Sequence, residues 1–132
     1  MDEEAVLFAN EAFYSAFAAR DIGAMDALWA RSLPVACIHP GWGPLEDRRS
    51  VMQSWTDILG SGHSPAVSCR AAKAYMLGPV AFVVCFEVLD NGFLVATNIF
   101  AREAGSWKMT HHQAGPTTQV PADEEAPTTR IH

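Results

Sequence analysis

Around Pro65 the spacing of apolar residues changes from helical to alternating, which restricts the chain to folds with helices first and an antiparallel sheet after. Over residues 3–20, Val6, Ala9, Phe13, Ala16 and Phe17 fall on one helical stripe, with Glu4, Glu11 and Ser15 opposite and Tyr14 at the edge. Asp21 is placed to cap a second short helix, in which Met25, Leu28 and Trp29 share a face. A short strand is expected over 35–38, followed by the loop His39-Pro-Gly-Trp-Gly-Pro44. A third helix is expected over about 46–59, with Val51, Trp55, Ile58 and Leu59 on one side and Gly60 at its end. Strands are expected over 67–77, 80–89, 93–103 and 106–113, separated by turn signals at Gly78-Pro79, Asp90-Asn-Gly92 and Ala104-Gly105. The expectation is an α+β domain over residues 1–115, three N-terminal helices against one face of a strongly curved sheet. Residues 116–132 form a proline- and acid-rich tail without apolar periodicity.

The composition narrows the function. Apolar residues make up 49% of the 132 and charged ones 18%, an apolar excess that asks for a pocket, an oligomer interface or both. A net charge of −6 argues against a nucleic-acid or anionic-membrane partner. No apolar run reaches membrane-spanning length, and the acidic start is unlike a signal peptide. Cys37, Cys69 and Cys85 are odd in number and lack C-x-x-C spacing, so neither a disulfide framework nor a zinc site is expected. A reduced, cytoplasmic protein is the expectation.

Registers can be tried on the two last hairpins. If Asn91-Gly92 is a two-residue turn, Cys85 lies opposite Asn98 and Glu87 opposite Ala96. If Ala104-Gly105 is likewise a two-residue turn, Asn98 lies opposite His111 and Ala96 opposite Gln113. Directly opposed residues share a face. One face then carries Cys85, Glu87, Asn98, His111 and Gln113 above an apolar floor of Phe100, Met109 and Trp107. Polar groups gathered at one end of an apolar floor suit a small-molecule pocket, with Trp42 and Trp55 as its walls. A one-residue bulge in either hairpin would break the alignment. The other face carries Phe82, Val84, Phe86, Val88, Val95 and Ile99 and wants cover from a second subunit.

The segment Phe13-Tyr-Ser-Ala-Phe-Ala-Ala-Arg-Asp-Ile-Gly-Ala-Met-Asp-Ala-Leu-Trp29 resembles the first two helices of the NTF2-like superfamily. Gly105-Ser-Trp-Lys-Met-Thr-His-His-Gln113 resembles its last strand, and also that of the association domain of calmodulin-dependent kinase II. The superfamily includes SnoaL-like polyketide cyclases, ketosteroid isomerase and scytalone dehydratase. The resemblance spans residues 3–115 and implies a cone-shaped fold, commonly a homodimer paired through the sheet. Thr97-Asn-Ile-Phe100 falls where the isomerase carries its oxyanion-binding aspartic acid, so Asn98 would donate a hydrogen bond there. His39-Pro40 lines up with the isomerase's Asp-Pro, which makes His39 the candidate general base. Tyr14 falls near the catalytic tyrosine, with Phe13 as the alternative.

The resulting candidate site is His39, His111, Asn98 and Tyr14, with Trp42, Trp55, Glu87, Phe100, Trp107, Met109 and Gln113 contacting substrate. Glu87 could equally be a rim carboxylate paired with Arg102. Adjacent strand residues His111 and His112 point to opposite faces and cannot chelate one ion, so no metal is expected, and no cofactor. The expected function is binding of a hydrophobic small molecule, with isomerase, cyclase or dehydratase chemistry by a histidine base. The competing expectation is a non-catalytic binding or oligomerisation module on the same fold.

Overall fold

The computed structural model describes residues 2–122; the acidic end of the tail, 123–132, lies outside the described residues. The elements are α1 (Asp2–Ala19), α2 (Ile22–Leu28), β1 (Ala36–Ile38), α3 (Arg48–Gly60), β2 (Ser68–Leu77), β3 (Val80–Leu89), β4 (Gly92–Glu103) and β5 (Ser106–Thr117). They form a five-stranded sheet in the order β1-β5-β4-β3-β2. β1 runs parallel to β5, and every other pairing is antiparallel. The last strand continues to Thr117, beyond the expected end at Gln113, because Gly115 and Pro116 still lie opposite Val95 and Leu94. The division expected after residue 115 therefore falls inside β5.

The helices begin and end where local chemistry directs. Arg20 closes α1 in the left-handed conformation, at φ 56. Asp21 then caps α2 by accepting from the Ala24 amide at 3.0 Å, and Asp47 caps α3 by accepting from the Ser50 amide at 2.8 Å. Arg48 donates to the Ala30, Asp26 and Trp29 carbonyls, and so ties the end of α2 to the start of α3. The Glu103 carboxylate accepts from the amides of Arg31, Ser32 and Leu33 at 2.8–3.1 Å, which anchors the segment leading into β1.

The buried stripe of α1 (Val6, Ala9, Asn10, Phe13, Tyr14, Ala16 and Phe17) and that of α3 (Val51, Ser54, Trp55, Leu59) cover one face of the sheet. Phe13, Trp29, Trp55 and Phe100 are fully enclosed. Phe13 meets Trp55 edge-on at 5.4 Å between ring centroids, a geometry that favours contact between the positive edge and the negative face of the rings. Truncating such a residue to alanine removes about 3–5 kcal/mol.

Candidate functional site

The face turned to the helices is set by strand pairing. On β3, Ala81, Val83, Cys85 and Glu87 are buried, as are Ala96, Asn98 and Phe100 on β4. In the β3–β4 hairpin Leu89 pairs with Gly92, so the turn is Asp90-Asn91 rather than Asn91-Gly92. Asn98 consequently lies opposite Val83 instead of Cys85. A slip of two residues leaves every side chain on its expected face.

The β4–β5 hairpin differs. Its turn is Ala104-Gly105, as expected, with both residues at positive φ (54 and 81). Phe100 pairs with Met109, but Ile99 pairs with His111 and Asn98 with His112. Thr110 is the extra residue of a bulge, which reverses the alternation beyond it. His111 therefore shares the outer face with Ile99, and Gln113 shares it with Thr97 and is exposed. Both expectations are corrected: His112, not His111, enters the interior, and Gln113 does not line it.

His112 is 2% exposed and Asn98 fully buried. The Asn98 amide nitrogen donates to Asn10 Oδ1 at 2.8 Å and to the Tyr14 hydroxyl at 3.2 Å. Asn98 Oδ1 is then the acceptor facing the imidazole, 2.6 Å from His112 Nδ1. That arrangement puts the ring proton on Nδ1 and leaves Nε2 as a lone pair. Nε2 lies 3.8 Å from Glu87 Oε2, beyond hydrogen-bond distance. The Tyr14 hydroxyl closes the chain by donating to Glu87 Oε2 at 2.7 Å, and it touches Cys85 Sγ at 3.3 Å.

Burial shifts the titration of each group in this chain. It pushes the Glu87 carboxyl up, against the pull of the Tyr14 hydrogen bond. Burial first, then the nearby Glu87 and Cys85, pushes the Tyr14 phenol well above its usual range. His112 is held down to about 3 by burial, with smaller contributions from His39 and His111. Glu87 is thus neither a rim group nor a partner of Arg102, which stacks on Trp107 at 5.5 Å instead.

His39 is buried but stands outside this chain. Ser54 gives its hydroxyl proton to the Val51 carbonyl at 2.6 Å, so at 2.9 Å it accepts from His39 Nε2. Burial holds His39 down to about 4. Its ring centre is 6.5 Å from that of His112, with Trp55 packed against both. Trp42 lies over the outer side of His39 at 4.8 Å and is 48% exposed. Phe100 and Met109, opposite each other and fully buried, form the floor beneath Asn98, with Trp107 at its far end.

Asn10 is a site residue the sequence reading missed, although it lies four residues before Tyr14 on the same helical stripe. Its side-chain amide also donates to Cys69 Sγ at 3.7 Å. Asn10, Tyr14 and Cys69, with Leu7, Val67 and Ala72, line a groove of about 530 Å3 between α1 and β2. Asn10 and Tyr14 are the members of the polar chain that line this groove; Asn98, Glu87 and His112 lie buried behind them. Among the described residues no cluster of histidine, cysteine or carboxylate groups is placed to hold a metal ion, and no helix is long and apolar enough to cross a membrane.

Comparison with known proteins agrees with this architecture. A candidate dehydratase of the NTF2-like family from Streptomyces avermitilis is 30% identical and superposes with a TM-score of 0.80, over 89% of this chain and 97% of that one. A candidate calcium/calmodulin-dependent protein kinase type II association domain from Thiobacillus denitrificans is 34% identical, with a TM-score of 0.74 over 83% and 92% of the two chains. The Arabidopsis thaliana F-box protein SKIP8 is 28% identical over 112 residues, 83% of this chain, which spans 48% of that protein's length. The profile of the SnoaL-like domain matches residues 6–118. On this match and the shared fold, the chain belongs to the SnoaL-like domain family, on the NTF2-like scaffold.

Proposed function

We propose that the chain binds a small, largely apolar molecule in the groove between α1 and β2 and moves a proton on it, as an isomerase, cyclase or dehydratase does. One observation carries this reading: Tyr14 lines the groove while its hydroxyl belongs to a buried chain in which Glu87 and His112 face each other 3.8 Å apart without a hydrogen bond. Burial favours the protonated form of Glu87, which sets a carboxyl able to give a proton beside an imidazole lone pair able to take one. His112 Nε2 would take a proton from carbon, and Asn98 Oδ1 would steady the resulting imidazolium through Nδ1–H. Tyr14, held as a phenol, would donate to the developing enolate oxygen. In a dehydration Glu87 would give its proton to the departing hydroxyl: C–H and C–O bonds break, a C=C bond forms and water leaves. Likeness to the Streptomyces candidate dehydratase supports this class. His39, bound to Ser54 on α3, does not line this groove and has no part in this chemistry. With three free thiols the domain suits a reducing, cytoplasmic compartment.

The test is a thermal-shift screen followed by turnover of the compound found. Glu87→Gln and His112→Gln should each lower turnover by roughly 100-fold or more while the proteins remain folded. Unchanged turnover in both variants would remove the acid–base role.

A second reading concerns the outer face of the sheet. Phe82, Val84, Phe86 and Ile99 are only half-buried there, and Tyr75, 44% exposed, stacks on Phe82 at 4.8 Å. We propose that a second copy of the chain covers this face, as the likeness to a kinase association domain supports. Light scattering at micromolar concentration should give a dimer. Val84→Asp or Ile99→Asp should give a monomer, because an unpaired charge would enter a dry interface. A wild-type monomer would contradict the reading.

A further inference from the structure

Resting on the reading of the α1–β2 groove as a small-molecule site, we infer that the groove selects an uncharged ligand, an apolar body with a hydroxyl, carbonyl or amide head, and discriminates against carboxylates and phosphates. The lining itself makes the case. Leu7, Val67 and Ala72 supply apolar wall, while Asn10, Tyr14 and Cys69 supply uncharged donors and acceptors. The sole charged side chain of the lining is Glu11, an acid at the exposed edge. A smaller groove that shares Ala18, Val67 and Ser68 continues it towards the end of β3 and adds Asp90, another acid.

The cations close in sequence are turned elsewhere. Arg70 and Lys73 flank Cys69 and Ala72 on β2 but lie opposite Phe86 and Val84, on the outer face. The Arg20 guanidinium is engaged by the carbonyls of Ser61 and Ser64, at 3.4 and 3.3 Å. The interior behind Tyr14 offers no cation either, since His39 and His112 are both buried as neutral rings. An anionic head would lose its hydration near the acidic edge at Glu11 with no positive charge in return. A neutral head can exchange water for the amide of Asn10 and the hydroxyl of Tyr14.

The experiment is a fragment screen by ligand-observed NMR at pH 7, in which each ring skeleton is present as a primary alcohol, a carboxylate and a primary amine. The 2-naphthyl series (methanol, carboxylate and methylamine) is one such triplet. Site occupancy is checked with Ser15→Trp, an exposed helix position that lines the groove and whose indole would fill it. The expected result is that alcohols bind, that they bind at least ten-fold tighter than their carboxylates and amines, and that Ser15→Trp abolishes binding. Carboxylates binding as well as alcohols would overturn the inference and leave the groove standing as a ligand site. Amines binding tightest would also overturn it, showing selection for cations by Glu11 and Asp90. An absence of Ser15→Trp-sensitive binding across the whole set would sink the small-molecule reading itself.

Discussion

The two hairpins that share β4 have turns of equal length, yet they treat their side chains differently. In β3–β4 the turn sits one residue earlier than the Asn-Gly signal indicates, and the pairing slips by two, from Cys85 to Val83 opposite Asn98. No side chain changes face. In β4–β5 the turn sits where expected, and a single extra residue, Thr110, exchanges His111 for His112 at the centre of the polar chain. Strand chemistry is therefore robust to an error of two and reversed by an error of one.

Deletions test this contrast most severely. Removing Thr97 from the unbulged centre of β4 would turn either Asn98 and Phe100 or Ala96 out of the interior. No cooperative unfolding transition should remain by circular dichroism. Removing Thr110 would leave Met109 opposite Phe100 and His112 opposite Asn98 with the bulge gone. That variant should fold, with a loss of no more than about 2 kcal/mol in urea titration. A folded Thr97 deletion beside an unfolded Thr110 deletion would break the comparison.

Substitutions come next in size. Asn98→Leu would leave Asn10, Tyr14 and His112 buried with unmatched polar groups, a loss of about 3 kcal/mol or more. His112→Ala should lose about 2–4 kcal/mol, from the interior packing of its ring and the stranded Asn98 acceptor. His111→Ala, on the outer face, should lose under about 1 kcal/mol in the isolated subunit. Equal effects of the two histidine variants would mean that the bulge does not choose between them.

The hairpins also respond to pH with opposite sign. His112 and His39 have folded values near 3 and 4, below the unfolded value of about 6.5. The unfolded chain alone binds these protons, so stability is complete above about pH 6.5 and falls as pH drops towards the folded values. Glu87, raised in the fold, works in reverse: from its folded value down to about pH 4.3 the native state alone holds the proton, and acidification favours it. Two histidines outweigh one carboxyl, so the protein should be acid-labile from pH 6 to 4.5. His112→Gln should reduce that slope by about one proton, roughly 1.4 kcal/mol per pH unit, measured by urea titration across the range. An unchanged slope would remove His112 from the buried network.

The smallest effect concerns the turn. Ala104 occupies positive φ, where glycine has no Cβ penalty. Ala104→Gly should raise stability by up to about 1 kcal/mol, read as a shift of the urea midpoint. A loss would point to contacts of the Ala104 methyl group that outweigh the backbone strain.

Periodicity by itself determined that three helices precede the antiparallel strands, because a stripe at helical spacing and an alternation of two each suit one kind of backbone. It likewise determined that Asn98, Phe100, Met109 and Trp107 face the helices, since a two-residue slip cannot move them; it put Tyr14 only at the edge of the α1 stripe, and the family resemblance made Tyr14 a site candidate, with Phe13 as the alternative. Tertiary structure alone decided the rest. A bulge leaves no mark in composition or spacing, so the exchange of His111 for His112 was illegible until β5 was paired with β4. The conversion of Glu87 from a possible rim carboxylate to a buried acid needs α1 above it, with Tyr14 in place to donate. The division between His39, bound to Ser54, and His112, bound to Asn98, depends on α3 and β4, elements more than thirty residues apart in sequence. A residue's face is a local property of the strand; its partner and its protonation state belong to whatever packs across from it.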